Sequence, residues 1–501
     1  MLDGMIVDAP TLQRPADVDG FLSCASRTAL VSRVSAQIRK LGIERIYFQL
    51  VSLTGRVMGK SVPARYWEEY AEKGVQLWYG AVADVLVDRR GDYLGYGAEA
   101  SELLALPDPD TFVQLPWDPS VARVFCTLFR NREDPQGPGT FLSSDCRGNL
   151  RRFHEAFKHK TGLELRVGCE PEMMWLKRGA DGDLTSGTTR PLAYHIAQFE
   201  TLSPIISRVN DYGRRMGLDM IQGDHEDAPG QLELNIRYSD VLGNADRLTT
   251  YRQICAQVAR EFNFTATFMA KPFAGMSGNG CHHNVSLWRG GESSVRLMDL
   301  DALPGEDGVF TYREGGENAF LADTGDWMPT ETGQNCIAGI LTHLPALTAI
   351  AASTVNSYRR LSDTGFWAPV FADWGLQNRT TSVRVSAPGR VEFRTVDSLV
   401  NPYLMGAALL KAFEHGLDAK LSPGAPEHRN IYDAMERGKS VVRLPTTLER
   451  ALDALESDPI IMDALPGDMG RCFLHAKRDE WERFIATVTD WDIERYLTTL
   501  P

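Results

Sequence analysis

Carboxylates at alternate positions of an otherwise apolar run leave a chain few ways to fold. Residues 168–176 read Gly-Cys-Glu-Pro-Glu-Met-Met-Trp-Leu. In a strand, residues i and i+2 share a face, so Glu170 and Glu172 stand side by side, about 6–7 Å apart. Two carboxylates in so apolar a strand are costly unless paired or metal-bound; on an edge strand they would simply face water. Three further segments repeat the spacing. After His225-Glu226, the residues Gln231, Glu233 and Asn235 share a face opposite Leu232 and Leu234. A loop with Gly275, Gly278 and Gly280 follows Lys271-Pro272-Phe273 and leads into 281–287, where His282, Asn284 and Ser286 point one way and His283 the other. Such a loop can bring backbone N–H groups to an anion, but no Gly-Lys-Ser/Thr follows, so it is not a P-loop. In Arg390-Val391-Glu392-Phe393-Arg394 the charged residues share one face. Arg359, Arg360, Arg379 and Arg384 lie nearby in sequence, and guanidinium forks suit carboxylate and phosphate groups.

Each segment alone also fits a solvated polar ladder, and a single strand histidine is commonly a hydrogen-bonded structural residue. Taken together, carboxylates, one histidine and arginines suit two hard divalent cations, Mg²⁺ or Mn²⁺, working on a phosphate-bearing substrate.

A chain of 501 residues exceeds one ordinary domain. The expected class is α+β, with an N-terminal arm over 1–35, a small domain over 36–125 and a catalytic domain over 140–501. A helix is expected over Ser32–Leu41, then a hairpin of Ile43–Leu53 and Arg56–Val62 about a Thr54-Gly55 turn. Trp78–Asp88 reads as strand, Arg130–Thr140 as a boundary loop, and Cys146–Lys160, Leu341–Ala352 and Pro402–Leu417 as helices. Amphipathic helices are expected over Lys477–Leu500. A net charge of −13 argues against nucleic acid as a main partner. The eight cysteines are scattered, with no CxxC pair, and read as neither a disulfide framework nor a zinc site, in keeping with a reducing compartment. No apolar run is long enough to span a bilayer, and the first ten residues, MLDGMIVDAP, lack a basic region before an apolar stretch. A cytoplasmic protein without a membrane partner is expected.

The order and wording of these motifs resemble the glutamine synthetase family, type I, from about residue 40 to the C-terminus. Its E-x-E strand is similar to Glu170-Pro-Glu172, and its H-x-E…G-Q-x-E element to Asp224-His-Glu226…Gly230-Gln-Leu-Glu233. Its K-P…G-x-G-x-H-x-x-x-S-L resembles Lys271 to Leu287, and its N-S-Y-[KR]-R resembles Asn356 to Arg360. Its N-R-x-x-x-x-R resembles Asn378 to Arg384, and its R-x-E-x-R with a following N-P-Y resembles Arg390 to Arg394 and Asn401 to Tyr403. The resemblance implies a small β-grasp-like N-terminal domain, a large catalytic domain with a curved antiparallel sheet, and a homo-oligomer, a dodecamer of two hexameric rings. It implies ATP and two or three Mg²⁺ (or Mn²⁺) as cofactors, and glutamate and a small amine as partners. Glu172, Glu226 and Glu233 would hold one ion; Glu170, His282 and Glu392 would hold the other. Arg360 and Arg394 would grip glutamate, with Gly278 lining that pocket. Arg379, Arg384 and Arg390 would bind phosphates, and Ser286 would contact the nucleotide base. Asn284 stands where the family often has a second histidine near the nucleotide, and Ser277 where it often has Asn. Arg379, Glu226 and Arg394 are the expected catalytic residues. Tyr432 aligns with a tyrosine that some bacterial members adenylylate, and is read as structural.

The implied reaction is attack of the glutamate γ-carboxylate on ATP, giving γ-glutamyl phosphate, which an amine then captures. Two acids that the family uses to bind ammonium are replaced. Ser52 stands for an Asp of the N-terminal hairpin, and Trp367 falls at or near a Glu of a flap. Tyr194 and Glu226 remain at the amine site. An apolar or aromatic, aniline-like amine is therefore expected rather than ammonia, with Phe366, Trp367, Trp78 and Tyr79 as aromatic candidates. The alternatives are an alkylamine or polyamine ligase, an ordinary glutamine synthetase, and an inactive structural member of the family.

Overall fold

The computed structural model describes residues 17–84, 86–179, 182–187, 193–291, 315–361 and 368–498. The hairpin forms as its turn signal predicts: Arg45–Val51 pairs antiparallel with Val57–Pro63, Val51 opposite Val57. Arg45–Val51 also pairs in parallel with Asp118–Arg130, which carries Glu102–Pro107 and then Val75–Trp78. With Val113–Leu115 this makes a mixed six-stranded sheet. The helices Ala25–Leu41 and Trp67–Lys73 cover one side, and the Trp67 ring lies 6.1 Å from the rings of both Phe48 and Phe112.

Among the described residues a second sheet has eleven strands. Its main path runs Trp374–Leu376, Val383–Ala387, Arg390–Phe393, Cys281–Arg289, Leu163–Arg178, Gln231–Ile236 and Met220–His225. Every pairing on this path is antiparallel except that of Trp374–Leu376 with Val383–Ala387. The sixteen-residue strand Leu163–Arg178 is its spine, and Met173, Met174 and Trp175 are fully buried there. An antiparallel sheet needs only one face covered by protein; the helices Cys146–Thr161, Val241–Glu261 and Pro402–Asp418 pack behind it. Pro402–Asp418 crosses Glu331–Ala351 closely because glycines meet there: a methyl group on Gly339 would lie 2.2 Å from the Ala412 carbonyl oxygen. Asn401 joins the two sheets. Its Oδ1 accepts from Tyr403 N (3.1 Å) as the helix cap, while its Nδ2 donates to the Ser52 and Leu53 carbonyls (3.0 and 3.2 Å).

Several elements depart from the sequence expectation. Within the arm, residues from 17 on are helical: Val18–Leu22, capped by Asp17, precedes Ala25–Leu41, which starts seven residues before Ser32. Its start is silent because Cys24 makes no side-chain cap. The expected strand over Trp78–Asp88 ends at Trp78, and Tyr79–Ala83 is a 3₁₀ turn. Gly80 lets the chain fold back on the Trp78 ring, and Asp84 then takes a left-handed φ of 60°. The helix expected from Leu341 begins at Glu331, capped by Thr330. The C-terminal helices are Asp468–Ile485 and Asp490–Tyr496. Among the described residues no helix is long and apolar enough to cross a membrane.

Candidate active site

Strand register assembles the site row by row. Glu172 is the cross-strand neighbour of Glu233, and Glu233 that of Asp224. One pleat along, Glu170 faces His282, and Asn284 faces Glu392, which in turn faces Arg384. The alternation seen in the sequence thus becomes two clusters on one sheet face.

In one cluster, ligand atoms of Glu170, His282 and Glu392 lie within 4.8 Å of one another. His282 Nδ1 is 3.3 Å from Glu170 Oε2 and 3.3 Å from Glu392 Oε1. Asn284 Nδ2 donates to Glu170 Oε1 (2.8 Å), Arg384 Nη1 donates to Glu392 Oε2 (2.8 Å), and Arg394 pairs with Glu392 Oε1. Burial, with the Arg394 charge beside it, holds the His282 imidazole well below its ordinary pKa, so it stays neutral and able to ligate.

The second cluster is Asp224, Glu226 and Glu233, again within 4.8 Å. Asn235 Nδ2 donates to Glu233 Oε1 (2.7 Å). Burial, followed by the charges of Glu172, Asp224 and Glu170, pushes Glu226 up to about 8. Burial and Glu170 raise Asp224, and burial with Glu170 raises Glu233 well above the usual range. Carboxylates crowded this closely form an oxygen-rich, anionic donor set suited to a hard divalent cation.

Glu172, expected with Glu226 and Glu233, borders this trio but has other partners. Its Oε2 accepts from Gly280 N (2.7 Å) and Gln231 Nε2 (3.1 Å), and the Arg360 charge stands near it. Asp224 stands with Glu226 and Glu233, and Glu172 adjoins them as the cross-strand neighbour of Glu233. The signal for Asp224 was present, since Asp224 and Glu226 are spaced by two.

Between the clusters opens a cavity of about 490 Å³. Of the expected residues, Glu170, Glu172, Glu226, Glu233, His282, Gly278, Tyr194, Arg360, Arg379, Arg384, Arg390 and Arg394 line it. Arg360 and Arg394 are buried; Arg360 Nη1 donates to the Thr395 carbonyl (3.1 Å) and Nη2 to that of Arg394 (3.2 Å). Gly278 is glycine for a reason of space, because a methyl group there would sit 2.3 Å from the Ala270 carbonyl oxygen. Tyr194 has a φ of 63° and donates its backbone N–H to the His225 carbonyl (2.9 Å), beside Glu226. Asp227 and Ser277, which bond to each other, also line the cavity.

Other expected residues lie elsewhere. Asn284 and Ser286 continue along the His282 face; Ser286 Oγ accepts from Trp288 Nε1 (2.8 Å). Ser52 is fully buried in the first hairpin, its Oγ accepting from Arg56 N (3.2 Å), away from this chain's cavity. Trp78 Nε1 donates to the Gly97 carbonyl (3.2 Å) and Tyr79 OH to Asp134 (2.5 Å), so both aromatic rings are committed within the first sheet. Phe366 and Trp367 lie outside the described residues.

An α+β chain whose curved sheet gathers five carboxylates and one histidine in two clusters, ringed by arginines, has the equipment of a metal-assisted ligase acting on anionic substrates. The catalytic domain of glutamine synthetase matches residues 143–300 and 311–496, and the chain belongs to the glutamine synthetase family. The glutamine synthetase of Pyrococcus abyssi is 32% identical over 466 residues, covering 89% of this chain and 94% of that protein. That of Methanocaldococcus jannaschii is also 32% identical, covering 93% and 98%. Solved structures of GmaS, without ligand and as an ADP complex, superpose with a TM-score of 0.79 at 29% identity, covering 93% of this chain and 99% of theirs.

Proposed function

We propose that this enzyme joins the γ-carboxylate of glutamate to an amine larger than ammonia, at the expense of ATP. Family membership supports glutamate–amine ligation as the class; the two carboxylate clusters on one sheet face, beneath an arginine-lined cavity, are the observation that carries the reading to these residues. Glutamate would be held by the buried Arg360 and Arg394 with Gly278 in the pocket wall. Arg379, Arg384 and Arg390 would grip the ATP phosphates, with Asn284 and Ser286 toward the nucleotide, as the ADP-bound GmaS structure makes reasonable. Divalent cations held by the two clusters would neutralise charge on the transferring phosphoryl group. A γ-carboxylate oxygen attacks the terminal phosphorus and ADP leaves. The amine then attacks the acyl phosphate carbonyl, and phosphate leaves. Glu226, beside Tyr194 at the cavity, would accept the proton that the amine must shed.

For the amine we favour an apolar or aromatic, aniline-like compound, because Ser52 and Trp367 stand where ammonium-binding acids are expected. A second reading, a cationic alkylamine or polyamine, rests on a different observation: Asp224 and Asp227 add carboxylates to the same cavity, and GmaS is among the structural relatives. Phosphate release dependent on ATP and glutamate, measured with ammonium, methylamine, isopropylamine, putrescine and aniline, separates the two. Aniline above ammonium supports the first; methylamine, isopropylamine or putrescine on top supports the second. Ammonium on top makes the enzyme a conventional glutamine synthetase, and no release with any amine overturns the ligase reading.

A further inference from the structure

Asp227 and Ser277 belong to two loops that a single buried amide draws together. Gln231 is 1% exposed. Its Oε1 accepts from Ala228 N (3.0 Å), which fixes the turn carrying Asp227. Its Nε2 lies within hydrogen-bond reach of Glu172 Oε2 (3.1 Å), the Gly278 carbonyl (3.0 Å) and Asn279 Oδ1 (2.9 Å). Leu163–Arg178, the turn after Met220–His225 and the glycine loop before Cys281–Arg289 therefore meet at one side chain. Across the two loops Ser277 Oγ donates to Asp227 Oδ2. Asp227 is exposed and lines the cavity, whereas Ser277 is buried, so the hydroxyl fixes the carboxylate from its inner side.

This corner is rich in acceptors and short of donors. An amide nitrogen carries two hydrogens, so Gln231 Nε2 satisfies only two of its three acceptors at once. Asp227 adds a further carboxylate to the same wall. A cation of the protein stands next to them. The Arg360 side chain packs against Gly278, where a methyl group would lie 3.1 Å from its Cγ. Arg360 Nη2 and Glu172 Oε1 share the space above Gly280, where a methyl group would meet them at 2.9 and 3.1 Å. A guanidinium beside carboxylates and a carbonyl matches a zwitterion, whose carboxylate goes to the arginine and whose ammonium goes to the acceptors. The ammonium group of an α-amino acid brings three N–H donors and no acceptor. A dicarboxylate without that group leaves the corner without the donors it lacks.

We propose that Asp227, steadied by Ser277, is a specificity-determining residue that binds the α-ammonium group of glutamate. This rests on the ligase reading given above and adds to it: the acid substrate is selected for its amino group as well as for its two carboxylates.

The test uses the full chain with ATP and Mg²⁺. It compares L-glutamate with glutarate, which keeps both carboxylates and lacks the amino group. Phosphate release is followed with the best amine of the panel. The parent prefers glutamate to glutarate by at least about tenfold in kcat/KM. Asp227→Asn raises KM for glutamate about tenfold and leaves KM for the amine unchanged. It lowers the glutamate-to-glutarate preference by the same factor, because glutarate offers Asp227 nothing to bind. Ser277→Ala shifts the preference the same way by a smaller factor. A preference unchanged in Asp227→Asn overturns the proposal, as does a KM change confined to the amine, which assigns the residue to the second substrate. A parent that releases no phosphate refutes the ligase reading instead, and binding calorimetry of L-glutamate against glutarate then decides on Asp227 alone. Selective glutamate binding that Asp227→Asn loses sustains the assignment; equal or absent binding of the two by the parent overturns it.

Discussion

Glu392 is 1% exposed and answers to two guanidinium groups, those of Arg384 and Arg394. Arg394 is itself buried at 3% exposure, so removing its partner strands a charge away from water. Breaking such a pair costs about 3–5 kcal/mol. Glu392→Ala should lower the unfolding free energy by that order and abolish ligation; denaturant curves that coincide with the parent's would refute the pairing. Glu226 makes a second prediction. Its folded pKa of about 8 lies above the ordinary 4.5, so the folded chain keeps a proton that the unfolded chain releases. The stability this contributes is complete below about pH 4.5 and is lost as pH rises through about 8. Glu233 and Asp224 shift the same way. Metal-free protein should therefore melt at falling temperature as pH is raised from about 5 to 8, and Mg²⁺ should restore most at the upper end. A melting temperature that rises over this range in chelator would refute the cluster's charge state. At this scale Glu170, His282, Glu233 and Glu392 were legible from spacing alone, because a two-residue period leaves no choice of face. The hydrogen-bonded surroundings of Glu172 were not. They depend on Gly280 N–H, Gln231 and Arg360, which approach from three distant parts of the chain.

Among elements, the junction at Asn401 is the most exposed to test. One side chain caps Pro402–Asp418 and holds two carbonyls of the first hairpin. A lost cap costs about 1 kcal/mol, and buried carbonyls left unpaired about 1–3 kcal/mol more. Asn401→Ala should destabilise the protein by roughly 2–4 kcal/mol, read from the denaturation midpoint; Asn401→Asp should keep the cap and lose only the hairpin bonds. Equal losses in the two variants would show that the cap contributes nothing, and a parent-like midpoint for Asn401→Asp would show the same of the bridge to Ser52 and Leu53. Gly278→Ala tests the pocket wall in the same way. Its methyl group meets the Ala270 carbonyl and the Arg360 side chain, so KM for glutamate should rise several-fold while the fold survives; an unchanged KM would remove Gly278 from the glutamate pocket. The hairpin, Cys146–Thr161 and Pro402–Asp418 were readable because turn residues and apolar period agree there. Ala25–Leu41 and Glu331–Ala351 were read short, since their first turns are polar or uncapped in ways that periodicity does not register. Tyr79–Ala83 was mistaken for strand because it is fully buried, and burial without period fits either state.

For the whole molecule, the C-terminal end is the part that the single chain leaves unsatisfied. Asp490–Tyr496 buries none of its residues, and Ile485, Val488, Trp491, Tyr496 and Leu497 are each at least 60% exposed. So much apolar surface on one short segment fits a contact with another molecule, and the family is usually oligomeric. Replacing Trp491 and Leu497 with Glu should shift the sedimentation coefficient to a smaller species without unfolding the chain; an unchanged coefficient would place the interface elsewhere. Ser52 belongs to the same question. It sits in the first hairpin, outside this chain's own cavity, so a change of amine preference in folded Ser52→Asp would point to a site completed by a neighbouring copy. Composition and motif order disclosed the class of the molecule, but which surfaces meet in an assembly is not written in any local pattern.

The alternating strand Leu163–Arg178 also limits how this protein can vary. Its register against Cys281–Arg289 decides which chemistry faces the cavity, and that choice is one of parity. Insertion of one residue ahead of Gly168 would present Cys169 to the nucleotide and bury the glutamates; insertion of two would restore the original order. Length changes in this strand are therefore tolerable only in pairs, or with a bulge that absorbs the odd residue before Gly168.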